Sequence, residues 1–131
     1  MYAALFLTAL HHLDHLVRGN HVGWPVQDEV NAFTFSLLVY PLILGGLILS
    51  RSGHAGPGYW MLVSGPGALL LAVVHLGPTA VEPPRDVIEP YKDTVVGALA
   101  FAVLLLLMAV VAASFAYEAR AWRQERKAAQ R

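Results

Sequence analysis

Four long apolar runs restrict this chain to the class of membrane proteins. Three of them, residues 33–50, 59–77 and 94–117, contain no Asp, Glu, Lys or Arg, and the fourth, residues 1–17, is apolar up to a polar cluster at its end. About 18 to 20 apolar residues span a hydrocarbon core of roughly 30 Å. The uncharged runs also lack the polar stripe of a soluble amphipathic helix. The pattern therefore predicts an all-α, integral membrane four-helix bundle with antiparallel, up-down topology.

The composition supports this class and excludes several kinds of function. Of the 131 residues, 56% are hydrophobic and 14% are charged, whereas soluble domains are about 25% charged. The formal net charge is zero, which predicts no nucleic-acid partner. The absence of cysteine excludes disulfides, iron–sulfur clusters and cysteine nucleophiles. The predicted partner is the lipid bilayer, and the composition leaves a homo-oligomer open.

The charges of the loops predict the orientation in the membrane. Four spans would place both termini and the loop after the second span on one side, which then holds six of the nine basic residues. By the positive-inside rule, this side is cytoplasmic. The chain is therefore predicted to be a multi-pass protein of the cell membrane with cytoplasmic N- and C-termini. The predicted bundle occupies residues 1–117, with spans at about 1–18, 33–50, 59–77 and 94–117, and a basic helical tail occupies residues 118–131.

A polar cluster, HHLDHLVRGNH at residues 11–21, stands where the first run should meet lipid. At about 100° per residue, one face of a helix about 100° wide collects His11, Asp14, His15 and Arg18. Lipid cannot satisfy such groups, so this face is predicted to point into the bundle or into a wet cavity. Asp14 and Arg18 are also spaced to form a structural ion pair along the helix.

A further histidine lies near the end of the third apolar run. The antiparallel topology places His75 in the same leaflet as the polar face, and two imidazoles one helical turn apart can bind one metal ion. A third nitrogen and a carboxylate would complete a set suited to zinc, iron, copper, nickel or manganese. The candidate metal ligands are His11, Asp14, His15 and His75. Weaker candidates are His12, His21 and Asp93, of which the last is also placed to cap the final helix.

The loop at residues 78–93 lies next to this predicted site. It contains four of the eight prolines and is therefore predicted to be extended rather than helical. Its carboxylates, Glu82, Asp86 and Glu89, are close enough in sequence to the end of the third span to fold over the site.

The sequence leaves four functions open. The clustered nitrogen ligands favour a transition-metal site near the extracytoplasmic face, which could serve a metal-dependent membrane enzyme with an unnamed small-molecule or lipid substrate. A haem b or quinone redox subunit would use His11 or His15 opposite His75 as axial ligands. A small proton- or metal-ion-coupled transporter would use Asp14 and the histidines as a relay. In a structural accessory subunit, the polar groups would only join helices.

Overall fold

A computed structural model describes residues 1–19 and 29–131, and these residues are helical with no strand. This confirms the all-α class. In chain order the helices of the described residues are α1 (Tyr2–Arg18), α2 (Ala32–Ser36), α3 (Val39–Arg51), α4 (Pro57–His75), α5 (Pro84–Ile88) and α6 (Thr94–Ala129).

Within the described ranges, three helical segments are long and apolar enough to cross a membrane: Ala32–Arg51, Pro57–His75 and Thr94–Ala129. They correspond to the three uncharged runs and fit a multi-pass membrane protein. The first segment comprises α2 and α3, and the last continues without a break through the basic tail. α1 has 17 residues, a length of about 25 Å at 1.5 Å per residue. A fourth span, the antiparallel bundle and the cytoplasmic termini stay predictions.

α1, α4 and α5 all pack against α6. α3 packs more sparsely, and against α4. Leu107 and Val111 of α6 are buried against Ala4 and Leu7 of α1. Many large apolar side chains on the outer faces of the helices are exposed, as expected for surfaces that lipid covers. The closely packed part of the fold is therefore formed by α1, α4 and α6.

The proline-rich loop is not extended throughout, and this part of the prediction is wrong. Pro84 begins the short helix α5, because proline is tolerated in the first turn, where its missing N–H has no intrahelical acceptor. Val87 of α5 is fully buried, and α5 packs against α6. The folded loop carries Glu82 to the C-terminal ends of α1 and α4.

The close approach of α5 to α6 depends on a glycine. A Cβ atom at Gly97, near the start of α6, would meet the backbone carbonyl of Ile88. We expect Gly97→Ala to lower the free energy of unfolding by about 1–3 kcal/mol, since a backbone neighbour cannot move aside as a side chain can. The measurement is the Tm in detergent micelles.

Gly45→Ala is the matched control for this prediction. A Cβ at Gly45 meets no atom within 4 Å, so this variant should keep the wild-type Tm or raise it, because alanine is the better helix former. Equal Tm values for the two variants would contradict the close packing of α5 on α6.

Candidate metal centre

Three buried imidazoles from two helices meet in the fold. His11 and His15 lie one turn apart on α1, and His75 is the last residue of α4. One nitrogen from each ring can be chosen so that all three lie within 4.8 Å of one another. The three residues are 4%, 4% and 2% exposed, respectively. The sequence-predicted convergence of these histidines is therefore present in the structure.

The spacing of His11 and His15 suits a shared ion. Their Nε2 atoms are 3.2 Å apart. Two nitrogens bound to one tetrahedral zinc ion at about 2.0–2.1 Å lie roughly 3.3 Å from each other. The rings of His11 and His75 have centroids 5.1 Å apart, so the third nitrogen would complete the set after a small adjustment.

A backbone carbonyl fixes the tautomer of His75. Its Nδ1 lies 3.0 Å from the carbonyl oxygen of Glu82, and because a carbonyl only accepts, Nδ1 must donate. Nε2 of the neutral ring then carries the lone pair. A metal-binding histidine is oriented by this kind of outer hydrogen bond.

Glu82 is the carboxylate that lies beside the imidazoles. Its side chain is fully buried, and Oε2 lies 3.3 Å from Nε2 of His15 and 3.4 Å from Nδ1 of His75. The amide of Glu82 donates to the carbonyl of Val74 at 3.0 Å, which ties the loop back onto the end of α4. Glu82 was one of three loop carboxylates that the sequence offered, and these contacts distinguish it from the other two.

Arg18 holds Glu82 in place from α1. Its Nη1 donates to Oε1 of Glu82 at 2.8 Å and its Nε donates to Oδ2 of Asp14 at 2.6 Å. Nη1 also lies within hydrogen-bond distance of the carbonyls of Gly19 and Asp86. The guanidinium is thus surrounded by acceptors from α1 and from the loop before α6.

Asp14, a predicted metal ligand, lies in this ion-pair network and not among the three imidazoles. One carboxylate oxygen accepts from Arg18, and the other accepts from the hydroxyl of Tyr91. Burial and the hydrogen bond to Asp14 raise the pKa of Tyr91 to about 12, so the phenol keeps the proton that it donates. The structural ion pair that the sequence allowed is the arrangement found.

Both ring nitrogens of His12 form hydrogen bonds that link α1 to α2 and α3. The hydroxyl of Ser36 donates to the carbonyl of Phe33 at 2.6 Å, so its oxygen accepts from Nε2 of His12 at 2.8 Å. Nδ1 of His12 then accepts from the hydroxyl of Tyr40, also at 2.8 Å. Neither ring nitrogen is left for a metal ion.

Asp93 and His21 are the two other weaker candidates for metal ligands. Asp93 is the N-cap of α6, and its carboxylate accepts from the amides of Val95 and Val96 at 2.7 and 3.4 Å. His21 lies outside the described residues. The sequence reasoning missed the links made by Ser36, Tyr40 and Tyr91, because isolated hydroxyl residues give no spacing signal.

A small cavity adjoins the imidazoles. Its volume is about 40 Å³, and its walls include the three histidines together with Phe33, Leu71 and Val74. One water needs roughly 10–15 Å³ measured in this way, so the space suits an ion with a water molecule or two. A cavity with nitrogen donors on one wall and apolar side chains on the others can hold a cation and a small reacting group.

Comparisons with known proteins give no relative: no family profile, curated protein or solved structure matches the chain.

Proposed function

We propose that this chain is a membrane protein that binds one transition-metal ion, with zinc as the best fit, through His11, His15 and His75. The observation that carries the proposal is the convergence of three buried imidazole nitrogens within 4.8 Å. Three histidines that leave one coordination position open are a ligand set of catalytic zinc. Glu82 is proposed to supply the carboxylate that the sequence analysis assigned to Asp14, because its Oε2 lies 3.3 Å from Nε2 of His15, beside the proposed metal position.

A buried carboxylate beside the cluster favours a cation. The side chain of Glu82 is fully buried, and its Oε2 lies 3.3 Å from Nε2 of His15 and 3.4 Å from Nδ1 of His75. In a site shielded from water, a carboxylate attracts a nearby cation with little screening.

The size of the cavity favours a single ion over haem b. A haem would need a flat slot wide enough for a porphyrin ring, whereas the space beside the imidazoles is about 40 Å³. His11 and His15 also sit side by side on α1 with their Nε2 atoms 3.2 Å apart, an arrangement that directs both nitrogens to one point.

The reaction class that this site would support is metal-assisted hydrolysis within the membrane. A bound zinc ion lowers the pKa of a coordinated water and polarises a carbonyl or phosphoryl oxygen. Glu82 orients His75 through its carbonyl and contacts His15 through its carboxylate. Phe33 packs against His15 with ring centroids 5.3 Å apart and covers one side of the site. We accordingly propose a metal-dependent membrane enzyme.

Metal analysis tests the proposal. Protein purified in mild detergent without chelator should contain about one transition-metal ion per chain. The variant His11→Ala/His15→Ala should lose it, because one remaining imidazole cannot hold the ion.

His54→Ala is the matched control, since His54 is exposed and its Nδ1 contacts the hydroxyl of Ser52 at 2.9 Å. It should retain the wild-type metal content. A folded wild-type protein that contains no metal and binds none when zinc is added would overturn the proposal and favour the structural role.

A further inference from the structure

We propose that the groove between α3 and α4 admits an alkyl chain from the bilayer to the histidine cluster, so that the substrate is a single-chain lipid. This inference rests on the proposed function, because it names the substrate class of that metal centre. Three adjacent cavities with shared lining residues carry it.

The groove is large and apolar. Its volume is about 510 Å³, within the range of roughly 300–1,000 Å³ that small-molecule sites occupy. Residues of α2 and α3 form one wall, among them Phe35 and Leu42, and residues of α4 from Leu62 to Val73 form the other. Ser36 supplies the only hydroxyl among the described lining residues.

The groove adjoins two smaller spaces that reach the imidazoles. An inner pocket of about 80 Å³ shares Val39, Val63 and Gly67 with the groove and extends to His11 and His12. The cavity beside the three histidines shares His11 and Leu71 with this pocket. Ser36 and Leu70 line all three spaces. We infer from these shared walls that the spaces join into one largely apolar path from the groove to His11.

The chemistry of the walls selects an alkyl chain. The groove lies between two segments that can span a membrane, where the surrounding medium is hydrocarbon. The hydroxyl of Ser36 is already used, since it donates to Phe33 and accepts from His12. The outer groove therefore offers a polar molecule no free hydroxyl, and the inner pocket adds the hydroxyls of Thr8 and Ser64 to a largely apolar wall. A chain with a reactive group at its end would lie along the apolar walls and present that group to the cluster.

The inward path also favours an alkyl chain over a second copy of the protein as the occupant of the groove. A neighbouring helix could cover the mouth of the groove but is far too wide to enter a pocket of about 80 Å³. An alkyl chain is narrow enough to extend from the groove through this pocket. Gly67 leaves the passage open, because a Cβ there would meet only the side chain of Val111, at 3.8 Å.

Photolabelling with a palmitic acid analogue that carries a diazirine at the end of its chain tests the inference. The full-length protein in lipid nanodiscs is irradiated, and the labelled residues are mapped by mass spectrometry. The carboxyl group of the probe would lie at the cluster and its diazirine in the groove, so label should concentrate on residues of the groove. Leu70→Trp should reduce this labelling about tenfold, or roughly 1.4 kcal/mol of binding. Val39→Phe narrows the passage from the opposite wall and should also reduce the labelling.

Leu106→Trp is the matched control, because Leu106 is exposed on α6 and outside the three cavities. It should leave the labelling of the groove unchanged. Label spread evenly over exposed residues of α6 and the groove would overturn the inference, as would crosslinks that join two copies through α3 and α4.

The metal content of the same samples separates this inference from the proposed function. Metal at one ion per chain without preferred labelling of the groove would overturn the inference and leave the metal centre standing. Preferred labelling without metal would support the groove and overturn the metal centre.

Discussion

Arg18→Ala is expected to lower the free energy of unfolding by about 3–5 kcal/mol, the effect of removing one partner from a buried ion pair. The Arg18 side chain is 1% exposed, Glu82 is fully buried, and Asp14 is 11% exposed. Alanine would remove the guanidinium that pairs with both carboxylates in a region that water scarcely reaches. Reversible unfolding in mixed micelles of detergent and SDS measures the change.

Arg85→Ala is the control for this prediction. The Arg85 side chain is 71% exposed and pairs with Asp86 at 3.5 Å, so its loss should cost less than about 1 kcal/mol. In the double variant Arg18→Ala/Glu82→Gln, the neutral amide should restore part of the loss. Equal stabilities of Arg18→Ala and Arg85→Ala would contradict the buried network.

His75→Ala is expected to weaken zinc binding by more than about 100-fold, beyond the roughly 10- to 100-fold effect of losing an outer hydrogen-bond partner. It removes one of three nitrogen ligands, and the two that remain both come from α1. Glu82→Gln, which keeps the shape but removes the charge, should fall within that 10- to 100-fold range. Competition with a chromophoric zinc chelator measures both affinities.

His12→Ala is the matched control for the affinity series. His12 is a neighbour of the cluster, yet both of its ring nitrogens are used by Ser36 and Tyr40. The variant should lose stability, about 1 kcal/mol for each hydrogen bond, while its zinc affinity changes little. Loss of zinc in His12→Ala together with retention in His75→Ala would show that the wrong histidines have been assigned.

Helical periodicity predicted much of the site. The spacing of His11 and His15 put them on one face of α1, and the end of the third apolar run put His75 near them. Periodicity gives a direction around the helix axis to within a broad face, but it does not say which element each residue meets. Asp14 and His15 are sequence neighbours, yet Asp14 meets Tyr91 whereas His15 approaches Glu82.

Tertiary packing determined the conformation of the loop and which of its carboxylates meets the imidazoles, and the sequence could predict neither. The prolines of the loop predicted an extended chain, but Pro84 starts a helix that packs on α6. That packing selects Glu82 over Asp86 and Glu89 as the carboxylate beside the imidazoles. Length and lack of charge were enough to predict three segments that can span a membrane, whereas a fourth span at α1 stays a prediction.

X-ray absorption at the zinc edge would identify the atoms bound to the metal. We expect three imidazole nitrogens at about 2.0–2.1 Å in the wild-type protein, and two in His75→Ala loaded at high zinc concentration. A wild-type spectrum without imidazole scattering, or one that His75→Ala leaves unchanged, would contradict a metal centre built from α1 and α4.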